Sequence, residues 1–143
     1  MFNIVHNDET IDCYQLVALY EECGWNTDGF RTIKRTQDAM NRSLGYCVAY
    51  AKEDLSLIGF CRLIGDGIYG VQLVDLMVKP AYRKQGVAQQ LVKKIISNFS
   101  KISKDISIML VDGPGINSIY KSMGFSMAFR ESVHYFETTS MNL

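Results

Sequence analysis

The chain has 143 residues with 15 basic and 15 acidic side chains, so its formal net charge is zero, which argues against a broad nucleic-acid surface or an electrostatic membrane anchor. Hydrophobic residues make up 48% and charged residues 21% of the sequence, as in an ordinary globular protein. The length suits one domain over residues 1–143, and no apolar stretch approaches the roughly 20 residues needed to cross a bilayer.

The first part of the sequence predicts a strand and two helices. Residues 2–6 favour a strand. Apolar positions then repeat with helical spacing from residue 11 to about residue 23, and Asp8 or Thr10 can cap this helix. A second, more polar helix is predicted near residues 32–43.

The middle of the sequence predicts three strands with short turns, at residues 46–51, 57–64 and 71–78. Consecutive strands joined by short turns imply an antiparallel meander. A helix over residues 87–100 then crosses over to a strand at residues 106–111, which should lie parallel to its predecessor.

The end of the sequence predicts a short helix, ended by glycine, over residues 117–125, followed by closing strands at residues 126–129 and 133–137. The whole order of elements indicates an α+β fold in which an antiparallel sheet contains one parallel pair.

Neither the cysteines nor the local basic clusters predict a binding site. The cysteines show no metal-ligand spacing, and without a secretory signal at the start of the chain we expect reduced thiols in a cytoplasmic protein. They are Cys13, Cys23, Cys47 and Cys61. The basic residues Arg31, Lys34 and Arg35 are interpreted as a solvated helix face.

The loop between the third strand of the meander and the next helix has the features of a phosphate-binding site. Gly86 can take backbone angles closed to other residues, and the small Ala88 leaves the main chain accessible. Free amides at the start of the helix favour an anion, and Arg83 and Lys84 add two cations. The residues alone also fit an ordinary strand-to-helix turn with solvated charges.

Two segments of the sequence carry a family resemblance. The run Arg83-Lys84-Gln85-Gly86-Val87-Ala88 resembles the acetyl-CoA loop of the GCN5-related N-acetyltransferase (GNAT) superfamily, whose signature is Gln or Arg, two residues, Gly, one residue, then Gly or Ala. Residues 117–125 are similar to its recurrent ending of Asn, an aromatic residue and Gly-Phe. The resemblance covers most of the chain, although the first forty residues match only in layout. It implies a GNAT-type mixed, mostly antiparallel sheet with a central splayed parallel strand pair and flanking helices.

The resemblance implies acetyl-CoA as co-substrate and no metal. Main-chain amides of the loop would bind the pyrophosphate, the pantetheine arm would pair with the exposed edge of the preceding strand, and Asn117 would contact that arm. The expected cofactor-binding residues are Leu76, Met77, Val78, Arg83, Lys84, Gln85, Gly86, Val87, Ala88, Gln89, Asn117 and Tyr120.

Tyr120 and Asp75 are the expected catalytic residues. Tyr120 aligns with the tyrosine that protonates the departing thiolate in many GNAT members; the alternative is an amphipathic tyrosine at a helix end. Asp75 lies in the central strand and, by strict alternation, on the side of Leu73 and Met77. It either faces the slot as a base or is satisfied by local hydrogen bonds. The glutamate of histone-modifying relatives is not evident, which leaves a water relay open.

Trp25 and Phe30 are the expected substrate-binding residues, because they lie in the loop that walls the acceptor pocket in this superfamily. Their rings could pack an apolar acceptor or stand over a cationic amine. A tryptophan packed in the core is the alternative.

The leading hypothesis from the sequence is a cytoplasmic N-acetyltransferase that uses acetyl-CoA on an amine of a small molecule or a protein. The alternative is a catalytically silent module that binds or senses acyl-CoA. Expected partners are limited to the acceptor, without nucleic acid or membrane, and the resemblance allows a homodimer. Specificity in such folds lies in variable loops, so no motif names the acceptor.

Overall fold

The computed structural model describes residues 1–103, 106–111 and 117–126. The chain divides into two compact units, Met1–Asp112 and Gly113–Leu143. Within the described residues, no helix combines the length and apolar character that would let it cross a membrane.

The first unit contains five strands and three α-helices within its described residues, and the second contributes one short helix. In chain order they are β1 (Phe2–His6), α1 (Cys13–Glu22), α2 (Ile33–Asn41), β2 (Gly45–Ala51), β3 (Leu57–Gly65), β4 (Val71–Val78), a 3-10 turn (Pro80–Tyr82), α3 (Val87–Phe99), β5 (Ile108–Met109) and, in the second unit, α4 (Asn117–Ser122). The predicted closing strands at 126–129 and 133–137 lie outside the described residues apart from Ser126.

The five strands form one sheet in the order β1-β2-β3-β4-β5. The first four strands pair antiparallel, and β5 pairs parallel to β4 through Val71 with Ile108 and Gln72 with Met109. These two pairs lie at the start of β4, and within the described residues the rest of that edge has no strand beside it. The predicted mixed, mostly antiparallel sheet with a parallel pair and flanking helices is confirmed.

Strand β4 contains a bulge at Asp75. Its φ of 55° lies in the left-handed region, which a non-glycine residue seldom occupies. The register pairs Phe60 with Met77 but Arg62 with Val74, so two residues of β4 stand opposite one residue of β3. This count is that of a β-bulge, which bends a strand and re-aims its side chains.

The bulge reverses the faces of β4. Leu73, before the bulge, pairs with Leu63 on the face where a Cβ at Gly59 would lie 3.1 Å from side chains of α3. Met77, after the bulge, belongs to the core cluster under α1 and α2. The expectation that Asp75 shares one side with both Leu73 and Met77 is therefore wrong, because the extra residue breaks the two-residue alternation.

Two hydrophobic layers cover the sheet. On one face α1 and α2 pack over a buried cluster, and on the other face α3 buries its apolar stripe. The first cluster consists of Leu16, Leu19, Tyr20, Met40, Val48, Leu57, Phe60 and Met77. The buried residues of α3 are Val87, Leu91, Val92 and Ile95, in the four-residue spacing that the sequence predicts. The sheet is thus fixed from both sides around β3 and β4.

The start of α1 differs from the sequence expectation. Its N-cap is Asp12, whose carboxylate accepts a hydrogen bond from the Tyr14 amide at 2.8 Å. Asp8 instead accepts from the Thr10 amide and hydroxyl and from the Tyr50 hydroxyl. Asp8 therefore ties the preceding turn to β2, and the helix begins two residues later than predicted.

The cap assignment predicts different losses of stability at two neighbouring positions. Asp12→Ala should lower the free energy of unfolding by about 1 kcal/mol, because it leaves a helix-end amide without its acceptor. Thr10→Ala should cost clearly less, since Thr10 is exposed and its hydroxyl only donates to Asp8. Urea denaturation of both variants would measure the difference. A larger loss of unfolding free energy in Thr10→Ala than in Asp12→Ala would instead support Thr10, one of the two caps predicted from the sequence.

Candidate functional site

The loop from β4 to α3 has an unusual backbone. Lys84 has φ 59° and Gly86 has φ 83°, so two left-handed residues stand two positions apart immediately before the helix. Left-handed residues placed between right-handed or extended ones turn successive N–H groups toward a common point, which forms an anion-binding concavity.

The amides of this loop remain available as donors. The first helical hydrogen bond of α3 runs from the Gln90 amide to the Gly86 carbonyl. Within the part of the chain that the structure describes, no group accepts from the amides of residues 84–89. A Cβ placed on Gly86 would have no atom within 4 Å, so the space above the loop is open. Free donors, open space and a helix N-terminus together fit a phosphate group.

Two loop side chains stabilise the loop itself. Arg83 donates through Nε to the Val78 carbonyl at 3.0 Å and contacts the Cys23 sulfur at 3.9 Å. Gln85 donates through Nε2 to the Ala81 carbonyl at 3.2 Å. From the sequence, Arg83 and Lys84 are both expected to contribute positive charge to a bound anion. In the structure the Arg83 side chain also has a structural role, because its hydrogen bond to the Val78 carbonyl joins the loop to the end of β4.

The outer edge of β4 carries the main-chain groups predicted to pair with a cofactor arm. The Lys79 amide donates to the Ile58 carbonyl of β3. Alternation along the strand then turns the main-chain groups of Val78 and Leu76 toward the opposite edge. The Val78 carbonyl already accepts from Arg83 and from the Cys23 thiol. This edge leads directly into the loop.

Asp75 lies in a compact hydrogen-bonded network at the bulge. Its Oδ2 accepts from the Tyr20 hydroxyl at 2.8 Å and from Arg62 Nε at 2.6 Å. The side chains of Arg62 and Asp75 are 19% and 12% exposed. Burial, followed by the charge of Asp75, raises the pKa of Tyr20 far above its usual value. The phenol therefore stays protonated and acts as a donor, and local hydrogen bonds satisfy one oxygen of Asp75.

A cleft of about 210 Å³ opens beside this network, between α1, α2 and β3. Its lining residues are Tyr20, Phe30, Arg31, Arg35, Thr36, Ala39, Met40 and Arg62.

Of the two predicted acceptor residues, the structure brings Phe30 to the cleft. Trp25 is 43% exposed and is not among the lining side chains; its carbonyl accepts a hydrogen bond from Arg31. The interpretation of the basic cluster as a solvated face holds for Lys34, which pairs with Asp38. Arg35 is exposed on α2 as that interpretation expects, and it also lines the cleft, whereas Arg31 lies half-buried in the loop before the helix.

Tyr120 and Asn117 belong to the second unit, on α4. The Tyr120 ring is half-buried and meets the Phe125 ring edge-on, with 6.1 Å between centroids. The amide of Phe125 donates to the Tyr120 carbonyl, which closes the turn after the helix. The helix and its glycine turn follow the predicted ending, while the catalytic role of Tyr120 stays a prediction.

Comparison with known families identifies one match over most of the chain. The model of the Acetyltransferase (GNAT) domain matches residues 18–141. An uncharacterized ycf52-like N-acetyltransferase of Prochlorococcus marinus is 26% identical over 120 residues, with 82% of this chain and 64% of the relative covered. Histone acetyltransferase TAP1 of Glycine max is 28% identical over 127 residues, with 80% and 52% covered. The chain thus spans about half to two thirds of the length of these curated relatives.

Solved structures share the fold. A probable acetyltransferase from methicillin-resistant Staphylococcus aureus superposes with a TM-score of 0.80 at 22% identity, covering 96% of this chain and 99% of the other. A GNAT-family acetyltransferase from Streptococcus pneumoniae gives a TM-score of 0.74 at 26% identity, with the same two coverages.

The Asp75 network predicts a specific loss when the Tyr20 hydroxyl is removed. Tyr20→Phe should lower the free energy of unfolding by about 1.5–3 kcal/mol, the range for a hydrogen bond to a charged group. Tyr14→Phe is the matched control, because Tyr14 lies on the same helix and is 72% exposed. Thermal or urea denaturation would compare the two variants. Equal stabilities would contradict an energetic role for the Tyr20–Asp75 bond.

Proposed function

The chain belongs to the GNAT acetyltransferase family, and we propose that it transfers an acetyl group from acetyl-CoA to an amine of a small molecule or a protein. The observation that carries the proposal is the loop before α3. Left-handed residues at Lys84 and Gly86 accompany a helix N-terminus whose amides have no acceptor among the described residues. A turn that only connects a strand to a helix needs no such array of donors.

The residues around this loop fit the parts of CoA. We assign the pyrophosphate to the main-chain amides of residues 84–89, with the exposed Lys84 ammonium nearby. The pantetheine arm would pair with the outward main-chain groups of Leu76 and with the Val78 amide, as an added strand does, because Arg83 and Cys23 already occupy the Val78 carbonyl. Met77 contributes by packing, since its side chain lies in the core beneath this edge. When bound, acetyl-CoA supplies the thioester that is the acetyl donor.

The chemistry requires a neutral amine, a donor to the developing oxyanion and a proton for the thiolate. We assign the last task to Tyr120, with Asn117 of the same helix contacting the cofactor arm. Asp75 remains our candidate for accepting the proton of the amine, directly or through water. Arg62 and Tyr20 hold its Oδ2, while among the described residues Oδ1 has no hydrogen-bond donor.

A silent acyl-CoA-binding module is the second candidate function. It would need the loop but not the proton donor on α4. We also keep the cytoplasm as the proposed compartment, residues 1–143 as one functional domain and a homodimer as the proposed assembly. Release of free thiol from acetyl-CoA in the presence of an amine panel would separate an enzyme from a silent binder.

The loop assignment predicts that Gly86→Val weakens CoA binding by at least about tenfold, or 1.4 kcal/mol. Valine disfavours φ 83°, and its side chain would enter the open space above the amides. Gly29→Val is a matched control, because Gly29 also has positive φ and no atom within 4 Å of a Cβ. Calorimetric titration with CoA should show near wild-type affinity for the control. Full affinity in a folded Gly86→Val variant would remove the loop from the cofactor site.

The role of Tyr120 predicts that Tyr120→Phe lowers turnover by about 10² to 10⁴ fold, the usual contribution of general acid–base catalysis. Affinity for CoA should be little changed, since the ring and its contact with Phe125 are retained. Tyr69→Phe, at a side chain that is 94% exposed, controls for loss of a hydroxyl alone. Steady-state kinetics with an accepted amine would measure both. Unchanged turnover in Tyr120→Phe would assign the proton to water.

A further inference from the structure

We infer that the cleft between α1, α2 and β3 binds an oxyanion carried by the acceptor, so that the substrate is a small amine that also bears a carboxylate or phosphate. The inference rests on the proposed function, because it names the acceptor class for the same site. The cleft holds about 210 Å³, which is below the usual range for drug-sized ligands and suits a small molecule.

The charge of the cleft is the first argument. Three guanidinium groups line it, from Arg31, Arg35 and Arg62, and none of the described residues in its lining is acidic. Asp75 balances one of these charges through its ion pair with Arg62. Two positive charges are therefore left uncompensated at the cleft, in a chain whose formal net charge is zero.

Two acidic side chains of α2 and of the loop before it are engaged elsewhere. Asp38, on α2, pairs with the Lys34 ammonium at 3.2 Å. Asp28, in the loop before α2, accepts a hydrogen bond from the Phe30 amide at 3.0 Å. Neither side chain lines the cleft, so the excess of positive charge is a property of the cavity itself.

The orientation of the guanidinium groups is the second argument. Arg35 stacks on the Phe30 ring at 3.8 Å and Arg31 on the Tyr20 ring at 4.8 Å, measured from the guanidinium carbon to the ring centroid. A guanidinium placed over a ring face can present its N–H donors at its edge, and Arg31 already uses one of its donors on the Trp25 carbonyl. In residues 1–103, 106–111 and 117–126, no oxygen accepts a hydrogen bond from the Arg35 guanidinium. A carboxylate or phosphate matches this planar array of donors.

The stacked arginines also argue against the sequence-based expectation that these aromatic rings bind a cationic amine. A cationic amine would need the face of an aromatic ring. Arg35 covers a face of Phe30, and Arg31 covers a face of Tyr20. The aromatic residues therefore serve to place arginines, and a cation in the cleft would be repelled by them.

Thr36 supplies an independent polar group. The residue is 5% exposed and lines the cleft. Among the described residues nothing hydrogen bonds to its hydroxyl, and none of their buried side-chain oxygens lacks a partner, so the hydroxyl oxygen is accessible to solvent. A ligand oxygen in the cleft would accept a hydrogen bond from it.

The position of the cleft relates it to the proposed chemistry. Arg62 and Tyr20 line the cleft and both donate to Asp75 Oδ2. Asp75 directly precedes Leu76, whose main chain faces the edge assigned to pantetheine. An acceptor whose oxyanion binds the arginines would therefore extend its amine toward β4, past the candidate base.

The test begins with binding. Protein saturated with CoA, so that the loop amides are covered, is titrated with inorganic phosphate, acetate and tetramethylammonium while NMR follows the arginine Nε–H signals. We expect phosphate or acetate to shift the signals of Arg31 and Arg35, and tetramethylammonium to leave them unchanged. Arg31→Gln combined with Arg35→Gln should weaken anion binding by at least about tenfold. Lys34→Gln, which removes a neighbouring charge outside the cleft, should not.

Kinetics supply the second readout. Phosphoethanolamine, β-alanine and ethanolamine share an aminoethyl group and end in a phosphate, a carboxylate and a hydroxyl. We expect an anionic amine to exceed ethanolamine in kcat/KM by at least about tenfold, with the preference lost through KM in Arg35→Gln and kept in Lys34→Gln. The preferred anion decides between phosphate and carboxylate.

The outcomes separate the two proposals. Failure of CoA to bind would overturn the proposed function, and the anion titration would still report on the cleft without CoA. No anion-induced shift at the arginines, equal weakening by Lys34→Gln, or a preference for ethanolamine would each overturn the oxyanion site. If none of the three amines is acetylated, the binding titration decides alone.

Discussion

The ion pair between Asp75 and Arg62, with the Tyr20 hydroxyl as second donor, joins the parts of the first unit on which function depends. It fixes the bulge of β4, because Asp75 is the residue in the left-handed conformation. It ties β3 and β4 to α1 through one carboxylate oxygen. Such a pair, mostly removed from water, is destabilising unless both partners are satisfied. The geometry of the strand edge and that of the cleft therefore depend on the same three side chains.

The sequence predicts most of the fold because its signals are local. Strand β4 has the predicted bounds, since a run of aliphatic residues ends at Val78 before Pro80. Helix α3 starts at Val87 as predicted, because Gly86 precedes a regular apolar repeat. The cap of α1 could not be assigned uniquely. Asp8, Thr10 and Asp12 offer capping oxygens within five residues. In the structure Asp8 is held by Thr10 and by Tyr50 of β2, which leaves Asp12 as the cap.

The features that the sequence does not predict depend on tertiary contacts. No glycine marks the bulge at Asp75. Strict alternation of side chains along β4 therefore assigns Asp75 and the residues on its two sides to one common face, and only the register with β3 shows that the bulge breaks this pattern. Arg31 and Arg35 are neighbours in the chain, but Arg62 joins them in the cleft from β3, which local sequence patterns do not indicate. Periodicity places Arg35 on the polar side of α2, and that side also faces a cavity. The loop before α3 was predictable because all of its donors lie within six consecutive residues.

The charge of the whole chain and the charge of its cleft lead to different conclusions. A formal net charge of zero argues against broad attraction to polyanions. A cleft with two uncompensated guanidinium groups can still select a small anion, because a partly enclosed site screens charges less than the open surface does. The proposed cofactor loop would also bind an anion, but through main-chain amides. We therefore propose two anion sites of different chemistry in the first unit, one of amides for a phosphate ester and one of arginines for the acceptor, separated by the edge of β4 along which transfer would occur.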